Sequence, residues 1–259
     1  MDKLIEEIKR KKELNGISDN IVLEQVKKYL SQNKKINLEN KRSSDYKQLI
    51  KEVRAKLRRS YGLFRVENIK INEGDDSESI LAAHSSTKER SYFYPELYKK
   101  IFTITGKPKI ILDLGCGVNP LSYSFMNLKK VEYHAYDINE KEIALINNYF
   151  RREKILGEAA VLDVSKGEEV KKLPSADLAF LFKITDILDR GKGHKKTEEV
   201  LVAIPVKWVV ISFPTLTMSG KPMNAPRRRW MEWLCGRLGY PYTVLEFSNE
   251  IFYVIKKKD

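Results

Sequence analysis

From residue 108 to the end of the chain, short apolar runs alternate with longer amphipathic stretches, and no other feature restricts the fold as much. The runs KIILDLG (109–115), VEYHAYD (131–137), EAAVLDV (158–164), DLAFLFK (177–183) and WVVISFP (208–214) have the length and apolar content of strands buried on both faces. Helical patterning fills the intervals at 139–153, 184–203 and 225–238. Repetition of strand and helix in this way predicts an α/β fold built on a parallel sheet. The last two runs, TVLEF and IFYVIKK, are only a few residues apart, so they are expected to pair as an antiparallel hairpin at the sheet edge.

Composition narrows the class by exclusion. No stretch of the 259 residues approaches the ~18 uninterrupted apolar positions of a membrane span. The opening MDKLIEEIKRKKELNG mixes both charge signs and lacks the apolar run of a signal peptide. Two cysteines, Cys116 and Cys235, build no disulfide framework, which points to a reducing cytoplasm. The three histidines, His84, His134 and His194, are scattered without zinc-ligand spacing, so no metal is expected.

The formal net charge of +13 is concentrated at the front, where residues 1–70 carry 19 basic and 10 acidic side chains. Such a balance suits a polyanion, because each cation placed on a phosphate releases counterions. Tyr46, Leu49, Ile50, Val53 and Leu57 share one helical face, and Lys47, Lys51, Arg54 and Arg58 form a second stripe on the same helix. That stripe is expected to dock on a nucleic-acid backbone. In the connector that follows, Ser86 and Glu89 sit at capping-box spacing ahead of a helix carrying Tyr92, Leu97 and Ile101.

The first strand runs into Gly115-Cys116-Gly117-Val118-Asn119-Pro120, a glycine turn where doubly wound sheets bind cofactors. Asp137 ends the second strand 22 residues after Gly115, placed to accept ribose hydroxyls. The dinucleotide fingerprint needs a third glycine beside the pyrophosphate, but Pro120 stands there, and the loop has no Lys or Arg. S-adenosylmethionine, which carries no phosphate, needs neither. Asp163, after the third strand, is placed to meet an adenine amino group.

The fourth strand ends Leu181-Phe182-Lys183-Ile184-Thr185, without the Asn/Asp-Pro-Pro-aromatic signature of exocyclic-amine methylation. Carbon-5 methylation of a pyrimidine needs a cysteine nucleophile, and neither Cys116 nor Cys235 is suitably placed. Guanine N7 is already nucleophilic, so positioning is most of the catalytic task.

Five segments share one likeness: Lys56 to Phe64 (KLRRSYGLF), His84 to Arg90 (HSSTKER), Leu112 to Leu121 (LDLGCGVNPL), Phe182 to Arg190 (FKITDILDR) and Ile211 to Thr215 (ISFPT). Trp230 and Glu232 add a Trp-x-Glu pair. On these residues the chain resembles the aminoglycoside-resistance 16S rRNA guanine-N7 methyltransferases, the Arm/Rmt family, along nearly its whole length. The resemblance implies a helical rRNA-binding domain with its connector over 1–105, and a Rossmann-like class I S-adenosylmethionine-dependent methyltransferase domain over 106–259. It further implies a target guanine at the decoding (aminoglycoside) site of 16S rRNA in the 30S subunit, and aminoglycoside resistance as the outcome. Arg90 would then pair with the methionine carboxylate, with Phe64, His84, Ser85 and Ser86 closing over the cofactor. Gly115, beside Gly117, would face methionine, Asp137 the ribose, and Asp163, Val164 and Phe182 the adenine.

No catalytic acid or base is expected. The extruded base would enter a pocket near Phe182, Lys183, Ser212, Phe213 and Pro214. The chain departs from the family pattern after Pro214: the loop to Met223 holds one lysine, Lys221, and positive charge moves to Arg227, Arg228 and Arg229, read as phosphate contacts. The exact base is therefore open. A different decoding-site atom such as adenine N1, or a cofactor-binding assembly protein without transfer activity, are the alternatives. The enzyme is expected to act as a monomer.

Overall fold

Apolar residues at helical spacing give the N-terminal quarter its own core. The structure, a computed structural model, describes residues 1–33, 36–59, 77–83, 85–189, 193–217 and 219–258. Helix α1 (Asp2–Lys9), a 3-10 turn (Lys12–Leu14), α2 (Asp19–Gln32) and α3 (Ser44–Leu57) enclose Ile8, Leu14, Val22, Val26, Tyr46, Leu49, Val53 and Leu57. Ser43 starts α3 by accepting the Tyr46 N–H on its hydroxyl at 3.2 Å, satisfying one of the helix's unpaired donors. The Arg54 guanidinium donates to the carbonyls of Glu7 and Ile8 at 2.5 and 3.2 Å, closing the C-terminal end of α1.

Helices α4 (Ser77–Ala83), α5 (Ser85–Lys88) and α6 (Tyr94–Thr105) follow. Through Tyr94, Leu97, Tyr98 and Ile101, α6 belongs to the core of the sheet and not to that of the first three helices. It starts at Tyr94 with Pro95 in its first turn, later than the Ser86–Glu89 spacing suggests. The Glu89 carboxylate is bonded to Lys183 instead.

The sheet contains β1 (Ile110–Leu114), β2 (Glu132–Asp137), β3 (Leu156–Val161), β4 (Ala176–Phe182), β5 (Val206–Pro214), β6 (Tyr242–Glu246) and β7 (Glu250–Lys256). Their order is β3-β2-β1-β4-β5-β7-β6. The first five are parallel, and β7 runs antiparallel between β5 and β6, as expected for a terminal hairpin. Alternate residues point to opposite faces. Leu178, Phe180 and Phe182 of β4 join one core, and Ala179 and Leu181 the other. Helices α7 (Glu140–Glu153), α8 (Gly167–Val170), α9 (Thr185–Asp189), α10 (Lys195–Ala203) and α11 (Arg229–Leu238) connect the strands. The helical stretch expected over 184–203 contains α9 and α10. Asp189 accepts the N–H groups of Lys196 and Thr197, both at 3.1 Å, which ties the end of α9 to the start of α10. Strand order reverses between β1 and β4, and the crevice outside their carboxyl ends is where such sheets bind ligands.

Candidate active site

The loop after β1 is pinned to the end of β2. The N–H groups of Gly115 and Cys116 both donate to the Tyr136 carbonyl, at 2.8 and 3.0 Å. Gly115 has φ +69, and a Cβ there would stand 1.9 Å from the Ile184 side chain in the loop after β4. A side chain at 115 would therefore close the gap between the two loops that frame the crevice. The Gly117 N–H donates to Asp137 Oδ2 at 3.0 Å, and the Asn139 N–H to Asp137 Oδ1 at 3.0 Å. Asp137 is thus held against the glycine loop. Asp163 lies beyond β3, largely buried, and its Oδ1 accepts both the N–H and the hydroxyl of Ser165, at 3.0 and 2.7 Å.

A buried ionic cluster sits on the other side of the crevice. The Arg90 side chain is 2% exposed, and its Nε donates to both carboxylate oxygens of Glu250, at 3.0 and 2.9 Å. Glu250, fully buried at the start of β7, also receives the Lys183 ammonium at 3.2 Å. The Lys183 ammonium contacts Glu89 as well. Burial acts to depress the Arg90 pKa, but the negative charge of Glu250 and the neighbouring Tyr94 outweigh it and raise it. The guanidinium stands 4.8 Å over the Phe182 ring. Lys183 has φ +55, a costly conformation for a residue with a Cβ, and its N–H is held by Ser212 Oγ at 3.0 Å.

Among the described residues, three buried polar atoms in or next to these groups lack a protein partner: Arg90 Nη2, the Thr185 hydroxyl and Asn249 Oδ1. A buried guanidinium nitrogen without an acceptor fits a ligand carboxylate, and the open space at the Cβ position of Gly117 fits close approach of a ligand to the loop. These residues suit the amino-acid end of S-adenosylmethionine.

Beneath the loop, Asn119 Nδ2 and the Tyr133 hydroxyl donate to Asp113 Oδ2 at 2.9 and 2.7 Å, and the Tyr94 hydroxyl donates to Asn119 Oδ1 at 2.9 Å. Burial pushes the Asp113 carboxyl up to about 6. A carboxyl whose folded pKa is raised holds its proton more tightly than the unfolded chain does. Its contribution to stability is full below about 4 and is lost as pH rises through about 6. Asp113→Asn keeps an oxygen for both donors, so urea unfolding should show the variant losing about 1–2 kcal/mol less than the parent between pH 5 and pH 7.5. Equal losses in the two proteins would count against a protonated Asp113.

The remaining expected residues fall into separate groups. Phe64 and His84 lie outside the described residues, and of Ser85 and Ser86 only the backbone, in α5, is described. Phe182 and Val164 belong to cores on opposite faces of the sheet, so the structure does not bring them together as it does Phe182 and Arg90. Ser212 and Phe213 are fully buried. The Phe213 ring turns away from the Arg90 face and packs edge-on to Trp230 and Tyr253, at 5.6 and 5.8 Å, because successive residues of β5 alternate faces. Phe213 therefore supports the site from behind and does not line it. Burial pushes the Cys235 thiol up to about 11 and Cys116 well above its usual range, so neither is a ready thiolate.

The expected RNA contacts divide in the same way. Lys47 and Lys51 are exposed, but Arg54 closes α1, and Arg58 donates to Glu13 at 2.6 Å. Arg227 pairs with Glu232 at 2.9 Å. Arg228 donates to the carbonyls of Pro226 and Pro214, at 2.8 and 3.1 Å, and lies 5.2 Å over Phe213. Lys221 and Arg229 are exposed. Sequence reading missed Glu250, Thr185 and Trp233. Trp233 is 67% exposed, with Arg229 and Arg237 one turn away on either side of it along α11.

Among the described residues, no group of three His, Cys, Asp or Glu side chains comes together as a metal site, and no helix is long and apolar enough to cross a membrane. A doubly wound sheet with a reversed terminal hairpin, a glycine loop after β1 and an acid ending β2 define a class I S-adenosylmethionine-dependent methyltransferase. Within that class the chain belongs to the ribosomal RNA methyltransferase (FmrO) family, whose model matches residues 35–254. A 16S rRNA (guanine(1405)-N(7))-methyltransferase of Proteus mirabilis is 29% identical over 243 residues, 82% of this chain and 85% of that one. One of the same name from Micromonospora echinospora is 29% identical over 208 residues, covering 75% and 73%. The fold matches 16S rRNA methyltransferase RmtF in complex with S-adenosyl-L-homocysteine with a TM-score of 0.76, at 21% identity, over 99% of this chain and 98% of that one. The 16S rRNA methylase ArmA matches with a TM-score of 0.59, at 29% identity, over 70% and 91%.

Proposed function

We propose that the protein methylates guanine N7 at the decoding site of 16S rRNA in the 30S subunit, and that this modification confers aminoglycoside resistance. The observation that carries the reading is the extent of the match to the Proteus mirabilis guanine-N7 enzyme, which takes in 82% of the chain. In this reading helices α1 to α3 serve rRNA binding, and the sheet domain, with α6 packed on it and Arg90 beside it, serves the transfer.

Bound S-adenosylmethionine supplies an electrophilic sulfonium methyl group. The chain's own residues bind and orient. Arg90, held by Glu250, offers Nη2 to the methionine carboxylate. Asp137 takes the ribose hydroxyls, Asp163 meets the adenine amino group, and the loop from Gly115 to Gly117 lets the backbone approach. No residue removes a proton, since guanine N7 attacks through its lone pair, and alignment with the methyl carbon lowers the barrier. As the N7–carbon bond would form, the sulfur–methyl bond would break, leaving S-adenosylhomocysteine and a cationic N7-methylguanine, whose charge repels the ammonium groups of an aminoglycoside.

Exposed Lys47, Lys51, Lys221, Arg229 and Trp233 form the rRNA-facing set, with Trp233 suited to stacking on an unpaired base. Lys47→Glu with Lys51→Glu should weaken 30S binding about tenfold or more and flatten its dependence on salt. Arg54→Ala should instead lower the melting temperature, because that side chain closes α1. Filter binding across a salt series, paired with thermal melts, separates the two effects.

The activity itself is tested with tritiated S-adenosylmethionine on 30S particles, naked 16S RNA and 50S particles. Borohydride–aniline cleavage and primer extension then map the site. Label confined to one decoding-site guanine of 30S is the expected result. Label at an adenine, or none despite measurable cofactor binding, would overturn the proposal.

A further inference from the structure

The helical unit meets the sheet at a short clasp directly after Asp137. Ile17 and Asn139 form an isolated antiparallel bridge. The Ser18 N–H donates to the Ile138 carbonyl at 3.0 Å, and the Glu140 N–H to the Gly16 carbonyl at 2.9 Å. The Ile138 side chain packs against the core of the N-terminal helices. Asn139 is 3% exposed, and its Oδ1 accepts the Lys141 N–H at 3.1 Å, capping α7. Gly16 presses against this side chain so closely that a Cβ would stand 2.3 Å from Asn139 Oδ1.

Asp137 lies at the junction. One carboxylate oxygen accepts the Gly117 N–H of the cofactor loop, and the other accepts the Asn139 N–H of the clasp. A shift of the helical unit against the sheet moves the Asn139 backbone and with it the donor that orients Asp137. A ligand that fixes Asp137 in turn fixes the clasp.

We propose that Gly16 and Asn139 are positioning residues that couple seating of the N-terminal helices on rRNA to cofactor binding. The proposal rests on the reading of Asp137 as the ribose acid. By reciprocity of binding free energies, whatever the cofactor does to rRNA affinity, rRNA does equally to cofactor affinity.

The test uses the full chain. Affinity for 30S particles is measured with and without saturating S-adenosylhomocysteine, and affinity for S-adenosylhomocysteine by calorimetry. In the parent protein the nucleoside should tighten 30S binding about tenfold. Two variants disturb the clasp differently. Gly16→Ala forces Asn139 aside, while Ser18→Pro deletes one bridge hydrogen bond at a φ of −55 that proline adopts readily. In either variant the ratio should fall below about twofold, an effect that a loss of stability alone would not produce. A ratio near one in the parent protein overturns the proposal without reference to any variant. So does a parental ratio preserved in both variants. Asp137→Asn separates the underlying reading. If it leaves S-adenosylhomocysteine affinity unchanged, the ribose assignment fails. If it weakens that affinity while the clasp variants keep the parental ratio, only the coupling fails.

Discussion

Glu250→Ala should lower the melting temperature by roughly 10 °C and abolish cofactor binding in the micromolar range. The carboxylate is fully buried and is the anion that holds the nearly inaccessible Arg90 guanidinium through Nε. It also faces the Lys183 ammonium. Removing one partner of a buried ion pair costs about 3–5 kcal/mol, because the remaining charge is stranded. For a chain of this size each kcal/mol is worth about 2–4 °C in melting temperature. Glu250→Gln keeps the shape and one acceptor, so it should fold better than the alanine variant yet still bind cofactor weakly, since Arg90 is no longer aimed by two oxygens. Scanning fluorimetry gives the first quantity and calorimetry the second. A Glu250→Ala protein that melts with the parent would show that Arg90 finds another partner.

Asp137→Ala should act on ligand affinity far more than on stability. Asp137 is half-buried at the mouth of the crevice, so its removal costs less desolvated charge than that of the fully buried Glu250. Hydrogen bonds to an ionised carboxylate contribute about 1.5–3 kcal/mol each, and two ribose hydroxyls would lose theirs. The N–H groups of Gly117 and Asn139 would also lose their acceptor, loosening the loop. Together these effects predict a fall in S-adenosylmethionine affinity of at least about 100-fold, with methyl transfer at low cofactor concentration falling in parallel. An affinity within threefold of the parent would remove Asp137 from the ribose site.

The strands were legible because a buried parallel strand writes itself as a continuous apolar run, and the loop from Gly115 to Gly117 because its place after the first run is diagnostic. Strand ends were less so. β3 begins at Leu156 and stops at Val161, where the pattern suggested 158–164, since the apolar run continues into the turn that carries Val164. Periodicity also reports a face of a helix but not what meets it. Lys47 and Arg54 look alike on the stripe of α3, yet the first reaches solvent and the second is consumed by α1. Arg227 and Arg228, read as phosphate contacts, are likewise occupied by Glu232 and by backbone carbonyls. Glu250 carried no local signal, because its importance comes from Arg90, which is 160 residues away.

That separation bears on how the molecule comes into being. Arg90 leaves the ribosome long before Glu250 does, and until β7 inserts beside β5 the guanidinium is without the Glu250 carboxylate that holds it in the folded protein. Contacts between such distant positions form slowly, after the local ones are in place. The nascent chain can gather its helices and its parallel strands early, but competence to hold a cofactor arrives only when β7 takes its antiparallel place between β5 and β6. An enzyme of ribosomal RNA therefore stays inert while it is still being made.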